Sequence, residues 1–414
     1  MTPHTHLIGL LLGTEEDWPR AFEHLLTQVG PIEHGGETHE LTCERIFNEP
    51  FDLRYRPRYS LVIDRLGWWY TVPREWLKKV SLMDDVYLLN NPFTFQAMEK
   101  HSAYCAMMRL GLKVPDTWLI PHRVPPDNPR FVPMAERFNP PFDLDAIAER
   151  IGYPLFMKPF DGGTWTAVTR IASSDELHRS YEESGERLMH LQAAVEAYDV
   201  FTRSLSIGPQ TRVMHYDVTQ DHHDRYRPDR DFLSPALDHE VTTISRLVNA
   251  FFRWDFNSCE AIVKDGQAYP IDFANASPDL ALTSLSYHFP WAIKSLIAWC
   301  LFCIVTERSM PINQSTRDYF DVGDRDDLAY EEKLQRYREL ADAHLQAAAF
   351  AEFRDAALPH LDEAMVEYIE STEFDELLVR IIRTEEQPDM QELLIERTRV
   401  LVRACAADEH AATR

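Results

Sequence analysis

Two acidic residues, Glu260 and Asp272, stand inside otherwise apolar runs on either side of Lys264-Asp265-Gly266. A polar Asp-Gly step between apolar runs is hairpin chemistry, because glycine tolerates positive φ. The chain must double back here, and the register decides where the two carboxylates point. A two-residue turn at Asp265-Gly266 sets Glu260 and Asp272 on opposite faces. A three-residue turn, with Gly266 as the left-handed residue of a bulge, pairs Val263 with Gln267. Glu260 then opposes Pro270, and Asp272 lies diagonally on the same face. We expect the second register. Two buried carboxylates repel each other, and each loses hydration. A divalent cation relieves both costs, and Asn275 adds a neutral oxygen just beyond. Mg²⁺ takes a few carboxylates, waters and phosphate oxygens, which suits Glu260, Asp272 and Asn275. The plainer reading is that Asp272 opens a turn and Glu260 pairs with an arginine such as Arg253. The hairpin alone does not choose between them.

A second constellation runs through Leu155-Phe156-Met157-Lys158 and on to Asp161-Gly162-Gly163-Thr164. A lysine ending an apolar strand must be paired or functional, since a buried ammonium is costly. Glycines let backbone N–H groups approach an anion, and Thr164 and Thr166 add hydroxyls. The pattern suits a nucleotide phosphate; the plainer reading is a hairpin turn beside a snorkelling lysine. No Gly-x-x-x-x-Gly-Lys-Ser/Thr motif is present, so a P-loop is not indicated.

Around these motifs, apolar periodicity predicts strands at 7–12, 59–63 and 86–89, with helices at 18–29 and 68–80 between them. That alternation predicts a parallel α/β layer over roughly the first ninety residues. A helix is expected at 95–110, and a proline-rich linker at 121–141. Ser173 or Ser174 should cap a helix, with Glu176 in the capping role. Strands are expected at 188–195, 204–207 and 212–216, then a polar loop to Pro235, a helix and the hairpin. From Trp291 onward the pattern is helical. The expected domains are 1–93, 94–290 and a helical extension 291–414.

The formal net charge of -25 argues against a nucleic-acid partner. No stretch is read as reaching the ~20 apolar residues of a membrane span. Six scattered cysteines suggest reduced thiols and a cytoplasmic protein, with Cys300 and Cys303 buried on a core helix.

In order along the chain, these segments resemble the ATP-grasp superfamily over about residues 1–285. A Rossmann-like layer comes first. A helix lysine follows, matched by Lys100 in Met98-Glu99-Lys100-His101, then Lys158 and the glycine loop Asp161, Gly162, Gly163 and Thr164. The strand that would hold adenine matches Gln192, Ala193 and Val195, and Asp199 stands where a ribose carboxylate falls. Glu260, Asp272 and Asn275 resemble the metal-binding triplet. The family usually spaces its last acid and asparagine by two residues, whereas these stand three apart; Asp255 is another acid at the first position. The adenine strand lacks the family's glutamate.

The resemblance implies an α/β ATP-grasp fold with a Rossmann-like N-terminal domain and a helical C-terminal extension. It implies an ATP- and Mg²⁺-dependent ligase that activates a small-molecule carboxylate as an acyl phosphate for attack by an amine. Such chemistry is positioning plus charge neutralisation. Arg212 and Arg225 are the candidate catalytic cations, with Arg227 beside them. Arg212 has a plainer reading as a surface pair with Asp217. Two alternatives stay open: a nucleotide-binding regulator without turnover, and a small-molecule kinase. The C-terminal helices are expected to close the site or to make a homodimer.

Overall fold

Three sheets order the chain, and the computed structural model describes residues 3–47, 49–124, 141–161, 167–313 and 315–413. The first sheet contains β1 (His4–Leu11), β2 (Ile32–His34), β3 (Glu37–Arg45), β4 (Leu61–Asp64) and β5 (Tyr87–Leu89), in the order β2-β3-β1-β4-β5. Strands β3, β1, β4 and β5 are parallel, as the alternation predicts. The helix Trp18–Val29 buries Trp18, Phe22, Leu25 and Leu26 against them, an apolar face of helical spacing. The antiparallel pair β2 and β3 is not expected from the sequence. Its strands are short or polar, and its signal is Gly35-Gly36, both at positive φ in a tight turn.

The second sheet is antiparallel, with β6 (Thr117–Ile120), β7 (Leu155–Pro159), β8 (Thr169–Ile171) and β9 (Met189–Ala193) in the order β6-β9-β7-β8. Leu155, Met157, Ile171, Met189 and Leu191 point to one face and are covered by helices Leu144–Ile151 and Ser174–Ser184. Ser173 caps the latter through Glu176 N–H, and Glu176 accepts in turn from Ala172 N–H at 2.7 Å. The opposite face carries Phe156, Lys158, His190 and Gln192.

The third sheet is antiparallel, with β10 (Val200–Ile207), β11 (Gln210–His215), β12 (Phe256–Lys264) and β13 (Gln267–Asn275) in the order β11-β10-β12-β13. Helix Pro235–Phe252 packs on one face. Helix Phe289–Val305 joins the apolar part of the other face, including Leu205 and Ile207, to the first sheet. The helical run Leu282–Val305 is long and apolar enough to cross a membrane, contrary to the sequence reading, yet 94% of its most apolar stretch is buried within the protein. It is apolar all round because it has neighbours all round. Gly208 shows how close they come: it sits at positive φ, and a Cβ there would overlap the Trp299 ring. All six cysteines are free thiols, and burial pushes Cys300 and Cys303 well above the ordinary range.

Candidate active site

The hairpin places the two carboxylates together by a route the sequence reading does not anticipate. Lys264 pairs with Gln267, so the turn has two residues, Asp265 and Gly266, both left-handed at φ 52 and 72. That corrects the expected three-residue turn. Continued regularly, this register would separate Glu260 from Asp272. Instead Ala261 pairs with Pro270 and Glu260 with Asp272, leaving Ile271 as an extra residue. The bulge swings Asp272 onto the Glu260 face. A second shift follows, and Ser258 pairs with Asn275. Residues three apart on a regular strand face opposite ways, but this shift returns Asn275 to the same face as Asp272. Asn257 supports it by accepting from Asn275 N–H at 2.7 Å and donating to Phe273 C=O at 3.0 Å. Asn275 Nδ2 donates to Ser258 Oγ at 3.1 Å.

Three cations surround the pair. Lys100 Nζ meets Asp272 Oδ2 at 2.5 Å, and Arg203 Nη1 lies 3.6 Å from Glu260 Oε1. Lys158, 8% exposed, donates to Gln192 Oε1 at 2.6 Å and to the bulged Ile271 C=O at 3.2 Å. Tyr104 O–H donates to the same carbonyl at 2.8 Å, and its ring lies beneath the ammonium. Burial lowers the Lys158 pKa from 10.5 to about 7, with Lys100 adding to the effect and Asp272 and Glu260 opposing it. Burial raises Glu260 against the pull of Arg203. The second and third sheets thus face each other across a charged seam, joined where Lys158 reaches Ile271.

Lys100 does not lie within a helix, as the sequence reading has it. A 3₁₀ segment Pro92–Glu99 ends there, and Lys100 itself takes φ 59 before helix His101–Arg109 begins. A non-glycine residue at positive φ is uncommon and strained. Here it aims the ammonium at Asp272.

A RimK domain ATP-grasp protein from Sphaerobacter thermophilus superposes at a TM-score of 0.50 with 13% identity, over 71% of this chain and 99% of that one. The chain has the ATP-grasp fold. A D-alanine–D-alanine ligase from Bacillus anthracis complexed with ATP matches at 0.49 with 14% identity, over 73% of this chain and 99% of that one. A Chryseobacterium gregarium RiPP-associated ATP-grasp ligase, in complex with ADP and a leader and core peptide, matches at 0.47 with 12% identity, over 75% and 99%. No family model matches the sequence. No curated protein matches it.

Within this fold the remaining candidate residues divide. Gln192 lies on the Lys158 face and donates from Nε2 to Thr117 Oγ1 at 2.7 Å. Ala193 closes β9, with its N–H bonded to Asp116 C=O, and Val195 follows half-buried. Asp161 ends the described part of the lysine loop; burial raises Glu99, and the nearby Asp161 carboxylate adds to it. Gly162, Gly163 and Thr164 lie outside the described residues. Asp199 Oδ2 accepts from Asp265 N–H at 3.0 Å, so this carboxylate braces the hairpin turn at the end away from Glu260. Arg225 donates to Gln220 C=O within its own loop at 3.1 Å. Arg212 lies on the Glu260 face of the sheet, but its guanidinium meets Glu409 at 2.5 Å rather than Asp217. Arg253 bonds backbone carbonyls of Ala250 and Ser315, so it is not the partner of Glu260. Asp255 is buried elsewhere, against Tyr87 O–H and beside Arg308.

Arg203 and Tyr104 are absent from the sequence reading. Arg203 carries a visible signal, as an arginine in a run of buried strand residues, but only the β10–β12 register shows that it opposes Glu260. Tyr104 carries none, because its partner is a carbonyl exposed by a bulge.

Proposed function

We propose that this protein binds Mg-ATP in the seam between the second and third sheets and joins a small-molecule carboxylate to an amine, forming ADP. The observation that carries the reading is the convergence of Lys158, Lys100 and Arg203 on the opposed pair Glu260 and Asp272.

The donor set fits the metal. Among the described residues no three His, Cys, Asp or Glu side chains form a ready-made cage. Two carboxylates and an amide oxygen on one face leave positions for water and phosphate, which is what Mg²⁺ takes. Glu260, Asp272 and Asn275 would hold it; when bound, it would neutralise charge on the phosphate oxygens. Lys100 and Arg203 balance the carboxylates meanwhile, since an unpaired buried carboxylate is costly. Each can turn from its carboxylate to phosphate oxygens, where two positive charges favour charge developing on the transferred group. Lys158 supplies a phosphate contact from the opposite sheet, while Gln192 holds its Nζ and presents β9 to the adenine. An acyl phosphate formed on the substrate is then attacked by the amine, and phosphate leaves.

The test is ADP release across a panel of carboxylates and amines with Mg²⁺. Lys158→Ala and Glu260→Ala should each lower it at least a hundredfold; unchanged release in both would sink the site assignment. One observation favours a binding protein without turnover, namely that Glu409 already neutralises Arg212. ATP binding by calorimetry with no release across the panel would support that reading. Six free thiols, four of them buried, fit our proposal of a cytoplasmic location.

A further inference from the structure

We propose that Arg212, Arg230 and Lys294 form a carboxylate-binding subsite, and that Glu409 occupies it as a tethered stand-in for a substrate carboxylate. The proposal deepens the ligase reading and rests on it for the role of the anion.

Three cations from three separate elements meet one carboxylate. Arg212 on β11 reaches Glu409 Oε1 at 2.5 Å, and Arg230, in the loop before helix Pro235–Phe252, reaches the same oxygen at 2.9 Å. Lys294, on helix Phe289–Val305, reaches Oε2 at 3.1 Å and also bonds Asp362. Aromatic rings set the guanidiniums in place: Arg212 lies 4.7 Å from the Trp291 centroid and Arg230 5.4 Å from that of Tyr287. The Tyr287 hydroxyl oxygen accepts from Arg230 Nε at 2.7 Å, and its O–H donates to Asp408 Oδ2 at 2.6 Å. The planar forks are therefore held independently of the anion they grip, which is how a recognition site differs from a flexible surface pair.

The position is right for a substrate. Arg212 sits one diagonal step from Arg203 on the same sheet face, and Arg203 opposes Glu260. Diagonal neighbours lie about 7–8 Å apart between Cα atoms. His288 packs beside the same two arginines, its Nε2 donating to Arg227 C=O at 2.9 Å. Its buried Nδ1 has no hydrogen-bond partner among the described residues.

Glu409 is a replaceable occupant. It lies near the C-terminal end of helix Gln391–Thr413, where the helix dipole opposes negative charge. The cations hold it there against that opposition.

Glutarate, which carries the glutamate carboxylate on a free molecule, tests the idea by calorimetry on the full chain without nucleotide. The wild type should bind it weakly, because a tethered competitor acts at millimolar effective concentration or above. Glu409→Gln should bind it at least tenfold more tightly, and adding Arg212→Ala should remove the gain. Should Glu409→Gln not fold, Glu409→Asp keeps the charge but shortens the reach, and should bind glutarate at least threefold more tightly than wild type. Equal affinity in the wild type and whichever variant folds, or a gain that survives Arg212→Ala, overturns the proposal. Binding of a non-hydrolysable ATP analogue with Mg²⁺ is measured separately. Its absence would defeat the ligase reading while the glutarate result still decided the subsite.

Discussion

Glu260 and Asp272 stand directly opposite each other because Ile271 is an extra residue in β13. The same bulge frees the Ile271 carbonyl to accept from Lys158 and Tyr104. Bulging out Ile271 thus keeps the acidic pair aligned and ties it to the opposite sheet.

Deleting Ile271 should separate these two effects. The ladder would become regular there, with Glu260 still opposing Asp272. The bonds from Lys158 and Tyr104 would lose their acceptor, and at about 0.5–1.5 kcal/mol each the loss predicts roughly a tenfold weaker ATP analogue affinity. Calorimetry with the analogue and Mg²⁺ checks this; unchanged affinity would show that the carbonyl does not position Lys158.

Lys158 should give the metal-free protein a distinctive pH dependence. Its pKa falls from 10.5 to about 7 on folding. Between those values the unfolded chain binds the proton and the folded protein does not, so stability from this group should rise with pH across that window. Below about pH 7 both states are protonated and the folded protein bears the full cost of the buried charge. Urea denaturation at several pH values should show a slope that Lys158→Met removes.

Arg203→Met should be strongly destabilising, by about 3–5 kcal/mol, because it leaves Glu260 buried without its partner. Glu260→Gln in the same chain should recover much of that loss. A double-mutant cycle in urea measures the coupling; strict additivity would mean that the pair is not an energetic unit.

Gly208→Ala should lower stability by more than the ~1 kcal/mol typical of a point mutation. The new methyl meets the Trp299 ring, and the residue must also hold φ 54. Trp299→Leu should relieve the first problem and leave the second. Thermal unfolding of the single and double variants distinguishes them; a Gly208→Ala protein as stable as wild type would argue against the close contact.

Much of this was legible before any tertiary contact was known. Lys158 ends an apolar strand, so a buried ammonium needing partners could be read from its neighbours alone. Asp265-Gly266 announced the hairpin. The parallel layer followed from apolar strands alternating with amphipathic helices. What failed was register. Lys264-Asp265-Gly266 permits a two- or three-residue turn, and only a regular ladder beyond it would favour the three-residue turn. Neither the Ile271 bulge nor the shift that returns Asn275 to the Asp272 face has a local signature, because each depends on what the neighbouring strand and Asn257 supply.

The amino-acid sequence alone specified which residues could not be buried unpaired: Lys158 and Glu260, set among apolar neighbours that carry them inside, with Asp272 half-buried on the adjoining strand. Tertiary structure decided who pairs with whom. Arg203, Lys100 and Glu409 lie far along the chain from their partners, and charge attraction has no sequence range; it acts between whatever groups the packing of the sheets and helices brings within a few ångströms.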